Sequence, residues 1–146
     1  MAIMSVSLAA CGDDDEPAYS TQDRGSITVK YKGYNTERYL VYSASFHYYV
    51  SQNKTHFQAE LKERYDDIIP SNTFGFDIDG SLGSSTTLKI KEIYLTSGGA
   101  WNTYSQKGGQ VTVKSVKGDN VTLEFTDVKY GNAVLNGEIT YKKEAY

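Results

Sequence analysis

Three observations predict an all-β domain, an antiparallel β-sandwich or a partly closed β-barrel of eight to ten strands. From Gly25 onward apolar and polar residues alternate with period two, the repeat of a strand that buries one face. Gly and Asn recur at short intervals between these segments, as turn residues do, and no stretch reads as a crossover helix. Tyrosine is abundant, with 13 residues against five Phe and one Trp, and Tyr suits half-buried strand faces. Of the two architectures the sandwich is slightly preferred.

Taken in order, Ile27, Val29 and Tyr31 share one face of a first strand. A long second strand places Leu40, Tyr42, Ala44, Phe46, Tyr48 and Val50 inward and Ser43, Ser45, His47 and Tyr49 outward. Phe57, Ala59 and Leu61 alternate with His56, Gln58, Glu60 and Lys62. A turn over residues 51–54 pairs these two strands with partner numbers summing to 105, so that Tyr49 faces His56, His47 faces Gln58 and Ser45 faces Glu60. Residues 64–67 break the pattern as a loop. Phe74, Phe76 and Ile78 alternate with Asp77 and Asp79, and Gly80 to Ser85 connect onward. The apolar phase then slips between Leu88, Ile90 and Ile93, Leu95. A one-residue slip inverts every side chain, so a bulge or bend is expected near Lys91 and Glu92.

Gly98 and Gly99 form a turn before a short strand over residues 100–104 that carries Trp101. The last third reads as a three-stranded meander: Val111 and Val113; a turn at Lys117 to Asn120; Val121, Leu123 and Phe125; a turn at Gly131; then Leu135, Ile139 and Tyr141. One register pairs Val121 with Tyr141, Leu123 with Ile139 and Phe125 with Gly137 on the inner face, and Val128 with Val134 on the outer.

The N-terminal segment has a different character. Ala2 to Ala10 are small or uncharged, too few to span a bilayer, which needs about 20 residues. Leu8-Ala9-Ala10-Cys11 places the only cysteine of the chain directly after small residues, and Gly12-Asp13-Asp14-Asp15-Glu16 follows at once. The tetrapeptide resembles a bacterial lipobox, and the acidic run resembles the export tag of Bacteroidota-type surface lipoproteins. That resemblance implies a signal peptide over residues 1–10 and acylation of Cys11. It also implies residence at the outer membrane facing the cell exterior, with no transmembrane segment. With no Lys or Arg before the apolar run, either the signal starts further upstream or the terminal amine supplies its positive charge. Residues 11–24 form a polar tether containing Pro17, kept extended by its acidic run. Residues 25–146 form a single β domain whose rhythm also resembles small β-rich lipoproteins of Bacteroidota.

Composition excludes several function classes. The net charge is −3, from 15 basic and 18 acidic residues, and no basic stripe suits nucleic acid. Acylation of Cys11 leaves no thiol for disulfides, catalysis or metal binding. Catalytic motifs such as Gly-x-Ser-x-Gly and His-Glu-x-x-His are missing, and so is a phosphate-binding glycine loop. Asp77-Ile78-Asp79-Gly80 lacks the later glycine and acid of a calcium loop and reads as a strand end with a turn. No cofactor or metal is expected, and His47 and His56 lack a third ligand in the pattern.

The expected function is a non-enzymatic binding module for a glycan, an envelope protein or a small ligand. Its surface would be the outward strip Ser45, His47, Tyr49, His56, Gln58 and Glu60, with Trp101 and Tyr104 as an aromatic platform. Binding through the histidines would vary between pH 5 and 8, where imidazole titrates. The plainer account of the strip is a solvated sheet face, and of Trp101 a core residue. Two other functions fit the pattern: a glycoside hydrolase using carboxylates such as Glu60, Asp77 and Asp79, or a structural or adhesive subunit working by strand addition.

Overall fold

The computed structural model describes residues 24–63, 72–97 and 100–144. The expected lipidation site, most of the tether, the loop at 64–67 and the Gly98-Gly99 turn lie outside the described residues. Ten strands are present among the described residues: β1 Gly25–Tyr31, β2 Thr36–Tyr49, β3 Lys54–Lys62, β4 Asn72–Asp79, β5 Thr87–Leu88, β6 Ile90–Ser97, β7 Ala100–Ser105, β8 Gln110–Lys117, β9 Asn120–Tyr130 and β10 Ala133–Lys143. The fold is all-β, as the alternation predicts, and β8, β9 and β10 form the expected meander.

All ten strands belong to one sheet, ordered β5-β8-β9-β10-β1-β2-β3-β4-β6-β7, that doubles back on itself without closing into a barrel. Its two halves face each other as sandwich layers. Phe57 on β3 and Phe76 on β4 stack at 4.6 Å, and Tyr141 on β10 and Phe125 on β9 meet them edge-on at 5.1 and 5.7 Å. The ends of the sheet are joined by the chain itself. Thr87 and Leu88 pair with β8, Lys89 turns the corner, and Ile90 onward pairs with β4. At the other side β1 separates β10 from β2. Beyond its first residue those two strands meet in a short parallel ladder, Lys142 with Ser45 and Lys143 with Phe46.

Bulges decide which residues reach the core. Between β4 and β6 the register steps from Asp77↔Glu92 to Ile78↔Ile90, leaving Lys91 as the extra residue at the expected place. The step puts both Ile90 and Ile93 inside. A second bulge was not expected. In β2 the register changes between Val41 and Ser43, so Tyr42 is the extra residue. Tyr39 and Val41 therefore point inward before the bulge, and Ala44 and Phe46 after it. Leu40, Tyr42, Tyr48 and Val50, expected inside, are not in the core: Leu40 and Tyr48 are half-buried, and Tyr42 and Val50 are exposed.

The C-terminal hairpin has the expected register along one half only. Val121↔Tyr141, Leu123↔Ile139 and Phe125↔Gly137 pair as the inner-face alternation requires. Beyond them β9 carries one more residue than β10, and Val128 faces Leu135 rather than Val134. Asp127 takes a left-handed conformation, φ 50°, and the Asn136 side chain holds it: Oδ1 accepts from the Asp127 backbone N–H at 2.9 Å, and Nδ2 donates to the Asp127 carboxylate at 3.2 Å. The bulge turns Val128 and Tyr130 into the core, where Val128 is fully buried.

Arg24, the last residue of the expected tether, already touches the domain. Its guanidinium donates to Asn120 Oδ1 at 3.1 Å, and its carbonyl accepts from the Thr140 backbone N–H.

Candidate functional site

The turn between β2 and β3 sets the site. Val50–Gln52 form one 3₁₀ turn and Asn53 closes it in a left-handed conformation, so Tyr49 pairs with Lys54. Partner numbers sum to 103 rather than 105, because the loop occupies 50–53 and not 51–54. A shift of two leaves every side chain on its expected face and changes its neighbour. His47 lies directly opposite His56, Ser45 opposite Gln58 and Ser43 opposite Glu60.

Pairing continues the outer face across β4, β6 and β7. His56 faces Asp77, Gly75 faces Tyr94 and Thr96 faces Trp101. The result is a strip running from Tyr49 through His47, His56 and Tyr94 to Trp101. His47 and Tyr49 meet edge-on at 4.3 Å. Tyr94 lies nearly parallel to His56, with ring centroids 5.5 Å apart, and Trp101 meets Tyr94 at 5.6 Å. Trp101 is 59% exposed, so it is not a core residue.

At the centre of the strip is a hydrogen-bonded group. Asp77 is buried; its Oδ1 is 2.7 Å from His56 Nδ1 and its Oδ2 3.4 Å from Lys54 Nζ. A carboxylate only accepts, so the Nδ1 proton belongs to this bond. The Tyr94 hydroxyl lies 2.5 Å from Nδ1 and 2.8 Å from Nε2, and Gln58 Oε1 lies 3.2 Å from Nε2. In the neutral ring Nε2 is free to accept from Tyr94; in the charged ring it donates to Gln58. These contacts hold the His56 and Tyr94 rings in place on the sheet face. Tyr94 was not foreseen as a site residue, and Asp77 was named only as a candidate carboxylate for hydrolysis, not as the partner of His56. Asp77 looks like the polar half of an alternating strand, and Tyr94 is hidden between Ile93 and Leu95.

Gly75 makes room for Tyr94. A Cβ there would stand 2.6 Å from Cζ and 2.8 Å from Oη of that ring. Gly75→Ala is therefore expected to swing Tyr94 away from His56 at a cost of about 1–3 kcal/mol, the usual range for overpacking. Proton NMR of the His56 ring checks it: unchanged imidazole shifts in a folded variant would refute the placement.

The rest of the expected site divides. Ser45 Oγ donates to Glu144 Oε2 at 2.9 Å, and Glu144 Oε1 is 3.8 Å from His47 Nδ1. The β2–β10 ladder brings Glu144 here, with its backbone N–H bonded to the Phe46 carbonyl. Glu60 accepts from Ser43 Oγ at 2.9 Å. Tyr104 does not join Trp101. It is three residues further along one strand, hence on the opposite face, where it packs edge-on against Tyr130 at 4.9 Å. The expected Trp101–Tyr104 platform is replaced by Trp101 and Tyr94. Of the carboxylates named for hydrolysis, Asp79 is exposed beside Lys91. Glu60 and Asp77 sit at pairing positions four residues apart on β3, about 13 Å along a strand.

Among the described residues no group of three or more His, Cys, Asp or Glu side chains is arranged to hold a metal ion. Compared with protein-family models, with curated proteins and with solved structures, the chain matches none.

Proposed function

We propose that this chain is a surface lipoprotein, anchored in the outer membrane through acylated Cys11 and facing the cell exterior, whose β domain binds a glycan without chemical turnover. The observation that carries the binding half is the exposed Trp101 beside Tyr94 on one face of the sheet. Sugar rings present flat C–H faces to aromatic rings, and the hydroxyls around them need donors and acceptors. His47, His56, Gln58, Ser45 and Glu60 supply these along the same strip. The anchoring half rests on the Leu8-Ala9-Ala10-Cys11 stretch and the acidic run behind it.

Each half has its own test. Cys11→Ala should move the protein from the membrane to the soluble fraction with its β-sheet circular dichroism intact; retention in the membrane would mean that another element anchors it. A glycan array screened with the Cys11→Ala chain should give a ligand whose affinity falls roughly thirtyfold in Trp101→Ala, the equivalent of about 2 kcal/mol of lost aromatic contact. Replacing His47 and His56 together by Ala should also weaken the same ligand, because the strip then loses two of its hydrogen-bonding groups. Unchanged binding by Trp101→Ala would remove the sheet face as the site.

A further inference from the structure

The β1–β2 turn, the β9–β10 turn and β7 line two adjoining hollows, and Trp101 lines neither. The first, of about 370 Å³, has walls of Tyr31, Tyr34, Tyr104 and Tyr130 with the Glu37 carboxylate among them, and no Lys or Arg lines it. The second, of about 400 Å³, is lined by Lys107 and Lys129 and by no carboxylate. Tyr104 and Asn132 belong to both, so the hollows share a wall.

The first hollow is built before any ligand arrives. The buried Tyr130 hydroxyl donates to the carbonyls of Asn102 at 2.8 Å and Leu95 at 3.2 Å, which fixes its ring, and Tyr104 stands edge-on to that ring at 4.9 Å. Burial, followed by the nearby Glu37 carboxylate, raises the Tyr31 pKa, so that phenol stays neutral. Neutral aromatic faces with one carboxylate attract an organic cation. Two ammonium groups in the next hollow attract an anion.

We propose that this pair of hollows binds a zwitterion: an organic ammonium among the tyrosines beside Glu37, and its phosphate against Lys107 and Lys129. A free phospho-amine and a phospholipid headgroup present the same chemistry.

The test is calorimetric titration of the Cys11→Ala chain, which keeps the protein's own acyl anchor out of the measurement. Phosphocholine should bind at least about threefold more tightly than choline, and choline at least about threefold more tightly than its uncharged carbon isostere. Tyr34→Ala, at a side chain 72% exposed, and Glu37→Gln should each weaken both ligands by about twofold to thirtyfold. Replacing Lys107 and Lys129 by Ala should weaken phosphocholine and leave choline unchanged, and Trp101→Ala should change neither. Phosphatidylcholine vesicles that bind as well as phosphocholine identify the lipid as the source; vesicles that do not bind identify the free compound. Equal binding of the uncharged isostere, equal loss of choline in the double lysine variant, or no phosphocholine binding at millimolar concentration would each overturn the proposal.

Discussion

Phe76→Ala is expected to lower the unfolding free energy by about 3–5 kcal/mol, the range for aromatic truncation in a core. Phe76 is fully buried and lies where the two layers face each other. It stacks on Phe57 at 4.6 Å, stands perpendicular to Phe125 at 5.7 Å and to Tyr141 at 6.2 Å, and packs against Phe74 at 6.2 Å. These neighbours come from β3, β4, β9 and β10, so the ring ties three distant stretches of chain together. They are also fully or almost fully buried, and are held by their own ladders, so they collapse poorly into the space left behind. A domain of this size has about 5–15 kcal/mol to lose. Urea unfolding followed by circular dichroism should show a lower midpoint with an unchanged slope. Val116→Ala, at a side chain 59% exposed, is the control and should stay within about 0.5 kcal/mol of the parent. A Phe76→Ala loss below about 1 kcal/mol would mean that the rings do not meet as described.

Where alternation is strict, the sequence predicts the core correctly. Ile27 and Val29, Phe57 to Leu61, Phe74 to Ile78, and Val121 to Phe125 are all inside as the pattern requires. It predicts even a bulge where the apolar phase visibly slips, at Lys91. It fails where both phases are apolar. Tyr39-Leu40-Val41-Tyr42 is hydrophobic at every position, so nothing in it marks Tyr42 as the residue that drops out of register. Val134 and Leu135 are likewise both apolar, and either is a plausible partner for Val128. The structure decides through Asp127, whose left-handed backbone needs the Asn136 side chain from the opposite strand.

The same physics explains the site. Faces survive a register error of two, which is why His47 and His56 share a face although their partners differ from those expected. Neighbours across several strands depend on every intervening turn and bulge. The Asp77–His56–Tyr94 group spans β3, β4 and β6, and its assembly depends on the bulge at Lys91 and on the open space at Gly75. By contrast, the separation of Trp101 from Tyr104 was present in their spacing of three, since a strand alternates with period two.

Alkaline pH is expected to unfold the domain cooperatively, and tyrosine is the cause. Tyr39, Tyr130 and Tyr141 are buried, and each has its pKa raised above the ordinary value near 10. Burial is the leading cause in all three. The Tyr39 hydroxyl additionally donates to Glu37 Oε1 at 2.7 Å, and the Tyr141 hydroxyl has no hydrogen-bond partner. The folded state therefore keeps protons that the unfolded state releases. Their stabilisation is complete below pH 10 and is lost as pH rises above it, with each group contributing a slope of roughly 1 kcal/mol per pH unit. Three such groups remove on the order of 5 kcal/mol by about pH 11.5, comparable with the stability of a small domain. Tyrosinate absorbance should show a buried class that ionises together with the loss of β-sheet circular dichroism. Lysine deprotonation over the same range adds negative net charge, and Tyr141→Phe separates the two effects. It removes one buried phenol without altering any lysine, so the alkaline midpoint should rise. Because the deleted hydroxyl has no partner, the variant should also gain about 1–3 kcal/mol at neutral pH. An alkaline midpoint at or below that of the parent would contradict both the burial of Tyr141 and its role in the transition.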